Sequence, residues 1–111
     1  MRLSPLDPLS RGFTGRLAVA HLIAGRYQEA LEWADRSLAA QLDYRPALRA
    51  KVASLAQLGR IDEARDWLQQ LVELQPGLTI TRLEAYAGAL FSPEMLAVYI
   101  DGFRKAGLLE E

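Results

Sequence analysis

The chain contains no cysteine. That removes disulfide frameworks and thiolate-ligated zinc, and it fits a reducing, cytoplasmic setting. It has a single histidine, His21, and no close carboxylate cluster beside it. Metal-ligand spacing is therefore missing, and neither a metal nor another cofactor is implied. No apolar run approaches the roughly 20 residues that a membrane span needs. No charged leader followed by an apolar segment opens the sequence, so no secretory signal is expected. Neither sign of charge dominates: 13 basic and 14 acidic residues leave a formal net charge of −1. No global field then favours nucleic acid or an anionic membrane. Proline and glycine are sparse, at 5 and 8, while 50% of the 111 residues are hydrophobic. That balance describes one globular domain rather than a disordered tail.

What the sequence does contain is a repeat. Ala24-Gly25-Arg26-Tyr27-Gln28-Glu29-Ala30 returns as Leu58-Gly59-Arg60-Ile61-Asp62-Glu63-Ala64, an offset of 34 residues. The same offset carries His21 to Leu55, Leu38 to Val72 and Trp33 to Trp67, the chain's two tryptophans. A fixed period of this size marks stacked supersecondary units. Each unit reads as two helices around a tight turn. Leu48, Val52, Leu55 and Ala56 recur at helical spacing before Gly59, which suits the residue just past a helix end. Asp62 and Glu63 complement the positive end of the next helix, and Ala64, Trp67, Leu68, Leu71 and Val72 form its apolar stripe. Pro76-Gly77 ends it. Gly25, Glu29, Ala30, Trp33 and Leu38 repeat that logic. The small Ala30 and Ala64 are expected to let paired helices approach closely.

The flanks carry their own punctuation. Asp7 followed by Pro8 is a start signal for a helix running to about Ala24. Thr81-x-x-Glu84 has capping-box spacing for a short helix through about Leu90. Ser92-Pro93-Glu94 opens a last helix that closes with Arg104, Lys105 and Gly107. Its stripe of Leu96, Tyr99, Ile100 and Phe103 is read as a cap over the open end of the stack.

The period, the Gly-Arg-x-x-Glu-Ala turn and Pro76 resemble the tetratricopeptide repeat. The resemblance implies an all-α superhelix: repeat 1 over about 11–44, repeat 2 over about 45–78, and a short helix plus capping helix over 79–111. Gly25, Ala30, Trp33, Gly59, Ala64, Trp67 and Pro76 are then the structural signature. The ends are similar to something narrower. Arg2-Leu3-Ser4-Pro5-Leu6-Asp7-Pro8 and Phe103-Arg104-Lys105-Ala106-Gly107-Leu108 look like the C-terminal repeat regions of bacterial class III nucleotidyl cyclases. That likeness implies a piece of a larger signalling protein.

Intrinsic chemistry is not expected. His21 sits mid-helix, no serine lies in a nucleophile-elbow pattern, and Gly12-x-x-Gly15 lacks the Lys-Ser/Thr pair of a phosphate loop. The basic residues are interleaved with acids, as in Glu32 with Arg36 and Asp62 with Arg65. By the resemblance, the leading helix of each unit lines a concave surface that binds a protein or peptide. Val19, Leu22 and Ile23 from the first unit, and Arg45, Arg49, Ala53, Ala56 and Gln57 from the second, are the candidate contacts. An arginine beside an apolar strip suits a peptide carboxylate. The chain has no asparagine, which the carboxylate-clamp members of that family use. Leu17 to Ala24 is apolar on nearly every face. A terminal solenoid helix needs a polar outer side, so a homodimer through this helix is the alternative expectation.

Overall fold

The computed structural model describes residues 11–111, with side chains from Thr14 onward; the Asp7 helix start lies outside the described residues. Six helices follow one another: α1 (Arg11–Ile23), α2 (Tyr27–Ala40), α3 (Arg45–Gln57), α4 (Ile61–Leu74), α5 (Ile80–Ala87) and α6 (Pro93–Ala106). No strand occurs among the described residues. The fold is all-α, as the repeat implies. No described helix is long and apolar enough to cross a membrane.

The two repeat turns are built alike. Gly25 and Gly59 have φ of 81° and 83°, the left-handed region where any side chain is strained. Arg26 N–H donates to the His21 carbonyl at 2.8 Å and Arg60 N–H to that of Leu55 at 2.9 Å. Gly25 N–H reaches Leu22 at 3.1 Å and Gly59 N–H reaches Ala56 at 3.0 Å. These paired bonds satisfy the last carbonyls of α1 and α3, as in a Schellman turn. Five residues past each glycine, Ala30 and Ala64 are fully buried, so α1–α2 and α3–α4 close into hairpins without a bulky side chain between them.

Trp33 and Trp67 are only half-buried. Trp33 packs on Ala18, Ala34 and Ala50 at the junction of the first three helices. Trp67 packs against the main core, with the Lys51 ammonium 4.0 Å from its ring centroid. The expected Glu32–Arg36 and Asp62–Arg65 pairs are not formed. Arg36 lies over the Trp33 ring instead, 4.6 Å from its centroid, where it gains the ring's negative face.

The C-terminal third is tied down by contacts distant in sequence. Thr79, not Thr81, caps α5: its hydroxyl accepts from Arg82 N–H at 3.2 Å. The Thr81 hydroxyl instead donates to the Glu110 carbonyl at 2.8 Å. Ile80 N–H and Thr81 N–H donate to the Leu109 and Glu110 carbonyls, so the returning C-terminal segment satisfies the first turn of α5. The α5 helix ends at Ala87, earlier than Leu90. Ser92 caps α6 and Gly107, at φ 95°, closes it.

α6 lies along α3. An added Cβ on Gly102 would sit 2.9 Å from Ala53 Cα, so the two backbones cross with no side chain between them. Gln57 clasps the seam: its amide donates to the Val98 carbonyl and to Asp101, each at 3.0 Å, while Lys105 donates to its oxygen at 2.8 Å. Edge-to-face rings Phe91–Tyr99 and Tyr99–Phe103, with centroids 5.4 and 5.3 Å apart, extend the core along α6.

Candidate partner-binding groove

With α6 seated on the C-terminal half of α3, the inner surface that stays open lies between α1, the start of α3, the end of α5 and the start of α6. It encloses a cavity of about 970 Å³. Val19, Ala20, Ile23 and Ala24 form one wall, and Leu90, Met95 and Val98 form the opposite one. Helical spacing puts the four α1 residues on one stripe, i, i+1, i+4 and i+5. Leu90 and Met95 are 67% and 42% exposed, a high value for large apolar side chains that line a hollow.

A second, smaller hollow of about 340 Å³ adjoins the first. Its lining includes Arg45, Arg49, Arg82 and Tyr86, and it shares Pro46, Arg49 and Tyr86 with the larger one. Arg49 is the hinge between the two and is only 9% exposed. Its guanidinium lies 5.2 Å from the Tyr86 ring centroid, and its charge acts on the buried Tyr99 phenol. Burial pushes the Tyr99 phenol up to about 12, while the nearby Arg49 guanidinium pulls the other way. Arg45 donates to the Leu74 carbonyl at 3.1 Å, not to Asp43, which accepts from Gln41. Among the described residues, none of the three arginines has a carboxylate within ion-pairing distance.

The structure distributes the sequence-derived contacts unevenly. Val19, Ile23 and Arg49 line the large cavity, and Arg45 lines only the small one. Leu22 is fully buried in the core. Ala53 is covered by Gly102, Ala56 is buried, and Gln57 is spent on α6. Those four are not open to a partner: Leu22 on α1 points into the core, and the last helix covers that stretch of α3. Arg82, Tyr86, Leu90, Met95 and Val98 were not anticipated. They lie beyond Pro76, where the 34-residue period no longer aligns anything; the apolar Leu90-Phe91 pair beside exposed-side Met95 was the available signal. His21 is half-buried and its Nδ1 accepts from Arg26 Nε at 2.8 Å, a contact that braces the first turn.

The family model described as tetratricopeptide repeat matches residues 12–36 and 46–70. These two segments, 50 of the 111 residues, are similar to tetratricopeptide repeats. They coincide with α1 through most of α2 and with α3 through most of α4, the two hairpins whose glycine turns superimpose in geometry. Repeats of this kind generally mediate protein–protein interaction and are typically non-catalytic. No curated protein and no solved structure is significantly similar to the chain.

Proposed function

We propose that the chain is a non-catalytic protein–protein interaction module whose groove between α1, α3 and α6 receives a peptide or helix, with Arg45 and Arg49 setting its polarity. The observation that supports it is the groove itself: an apolar hollow, walled by the leading helix of each tetratricopeptide repeat and by α6, with Leu90 and Met95 left in solvent. Exposed apolar walls of this kind gain several kcal/mol when a few hundred Å² are covered, at about 25 cal/mol per Å², before association costs. The likeness of both ends to bacterial class III cyclase tails favours a wider role. In that role the module is the C-terminal region of a larger bacterial signalling protein, such as a nucleotidyl cyclase, in the cytoplasm.

Selection from a random peptide-display library against the intact chain tests the groove. The selected peptides should lose at least about tenfold in affinity when Val98→Glu places a charge on the wall, a substitution that leaves the repeat hairpins intact. Binding that ignores Val98→Glu places the contact elsewhere and overturns the reading. The genomic reading frame tests the parentage: a cyclase or DNA-binding domain encoded in frame ahead of this region is the expected arrangement.

The apolar stripe of α1 supports a second reading, oligomerisation. Val19, Ala20, Ile23 and Ala24 face the open hollow, and two copies could bury them against each other. A sedimenting monomer at high micromolar concentration rejects it.

A further inference from the structure

The groove reading leaves open what its occupant must carry, and Arg49 bears on that point. An arginine only 9% exposed as a residue normally has a carboxylate partner, because burying an unpaired charge is costly. Arg49 has a phenol and the face of Tyr86, both neutral, and no acid among the described residues. Arg45 and Arg82 add two further cations to the same hollow, and no Asp or Glu lines it. Arg45 has one partner, a main-chain carbonyl; among the described residues the Arg82 guanidinium makes no hydrogen bond. The positive recess opens directly into the apolar groove through Pro46, Arg49 and Tyr86.

Resting on the groove reading, we infer that the partner segment is apolar and carries an aspartate or glutamate that enters the recess between α3 and α5 and pairs with Arg49. The charge count favours a single carboxylate. One cation of the three is buried and needs a counter-charge; Arg45 and Arg82 are exposed and remain hydrated. A planar guanidinium held against Tyr86 presents its edge for a two-pronged contact with a carboxylate. The neighbouring apolar residues of the same peptide then reach Val19, Ile23 and Val98 without a break, since the two hollows share their wall.

The display-selected peptides supply the probe. Those whose binding is lost with Val98→Glu should share an acidic position beside their apolar residues. Replacing that acid by its amide should weaken binding about tenfold or more, and Arg49→Gln on the intact chain should weaken the parent peptide by a similar factor. Applied together, the two changes should cost no more than either alone, because they remove the same pair. Arg82→Gln, at an exposed position, should cost about two- to threefold and reduce the salt dependence. If Arg49→Gln fails to fold by circular dichroism, the acid-to-amide peptide on the unaltered chain carries the test. Groove-dependent peptides with no common acid, or with less than twofold sensitivity to its loss, overturn the acidic occupant and leave the groove standing. A phosphoserine that binds more than tenfold tighter than the acid overturns the carboxylate in favour of a phosphopeptide. If no groove-dependent peptide emerges, the groove reading falls, and this inference with it.

Discussion

Replacing Gly102 by alanine separates helix propensity from packing. In an exposed helix interior, glycine to alanine stabilises by about 1 kcal/mol, because glycine loses more backbone freedom on folding. At Gly102 the new methyl carbon would lie 2.9 Å from Ala53 Cα, 3.0 Å from its Cβ and 3.0 Å from its carbonyl oxygen. Two of those three are main-chain atoms of α3, which cannot rotate away as a side chain end would. The helices must part, loosening Phe103 and Ile100 in the core and the Gln57 clasp on Val98 and Asp101. Overpacking of this sort costs about 1–3 kcal/mol, and the upper half of that range applies where backbone must move. Subtracting the propensity gain leaves a net loss of about 1–2 kcal/mol. Urea unfolding followed by circular dichroism and tryptophan fluorescence reads it as a lower midpoint at unchanged slope. Ala97→Gly, on the exposed side of the same helix, is the control and should lose about 1 kcal/mol from propensity alone. A Gly102→Ala chain more stable than the parent would show that α6 does not sit on α3, and the groove wall would go with it.

Two further measurements probe other parts of the argument. The Tyr99 phenol, raised to about 12 by burial, is held neutral in the folded chain, so its stabilising effect is complete below the unfolded tyrosine value near 10. Stability should fall by about 2–3 kcal/mol as pH rises from about 10 to 12, and phenolate absorbance should show one of the four tyrosines ionising only there. Tyr99→Phe should flatten that decline; an alkaline profile unchanged by the substitution would contradict a buried phenol. Gly25→Ala and Gly59→Ala should each cost about 1–2 kcal/mol, and by similar amounts, because both force alanine into the left-handed region with open space around it. Unequal losses, or a gain at either site, would break the equivalence of the two turns.

The parts of this molecule legible in its sequence are those set within a few residues. Gly25 and Gly59 announce their turns because a positive φ is a local demand, and Ala30 and Ala64 follow at a fixed distance because hairpin closure is local too. Ser92-Pro93 and Gly107 bracket α6 correctly for the same reason. Errors begin where partners are distant. Thr81 has the spacing of a cap, yet Thr79 takes the role because the C-terminal segment returns to occupy the Thr81 hydroxyl and N–H. Nothing near Thr81 encodes that return. Lys51 lies over Trp67 and pairs with Asp35, contacts 16 residues apart in each direction along the chain. Ala53 and Gln57 are concave-face positions by the family resemblance, and only the docking of α6, more than 40 residues later, removes them from the groove. The Arg45–Arg49–Arg82 recess is half legible: its α3 pair was visible as one helical turn, and its α5 member was not.

The docking of α6 covers apolar surface that the second hairpin would otherwise leave open. A solenoid unit cannot bury its apolar face alone, and about three units are normally needed. Here α6 lies mainly along α3 itself, and Gly102 permits a close approach of the two backbones. α5 and the returning C-terminal segment then brace α6, through Arg104 with Glu84 and Glu110. In the proposed reading, this arrangement moves the binding surface. Because Ala53 and Gln57 are used to hold the cap, a partner is left with the α1 end of the hollow, and the boundary between cap and hollow falls at Arg49. A residue at that boundary is sheltered by the cap on one side and faces the occupant on the other. The proposed recognition would thus depend on the seating of α6: loosening the Gly102 contact should expose Arg49 to water, and a hydrated arginine has much less to gain from a partner's carboxylate.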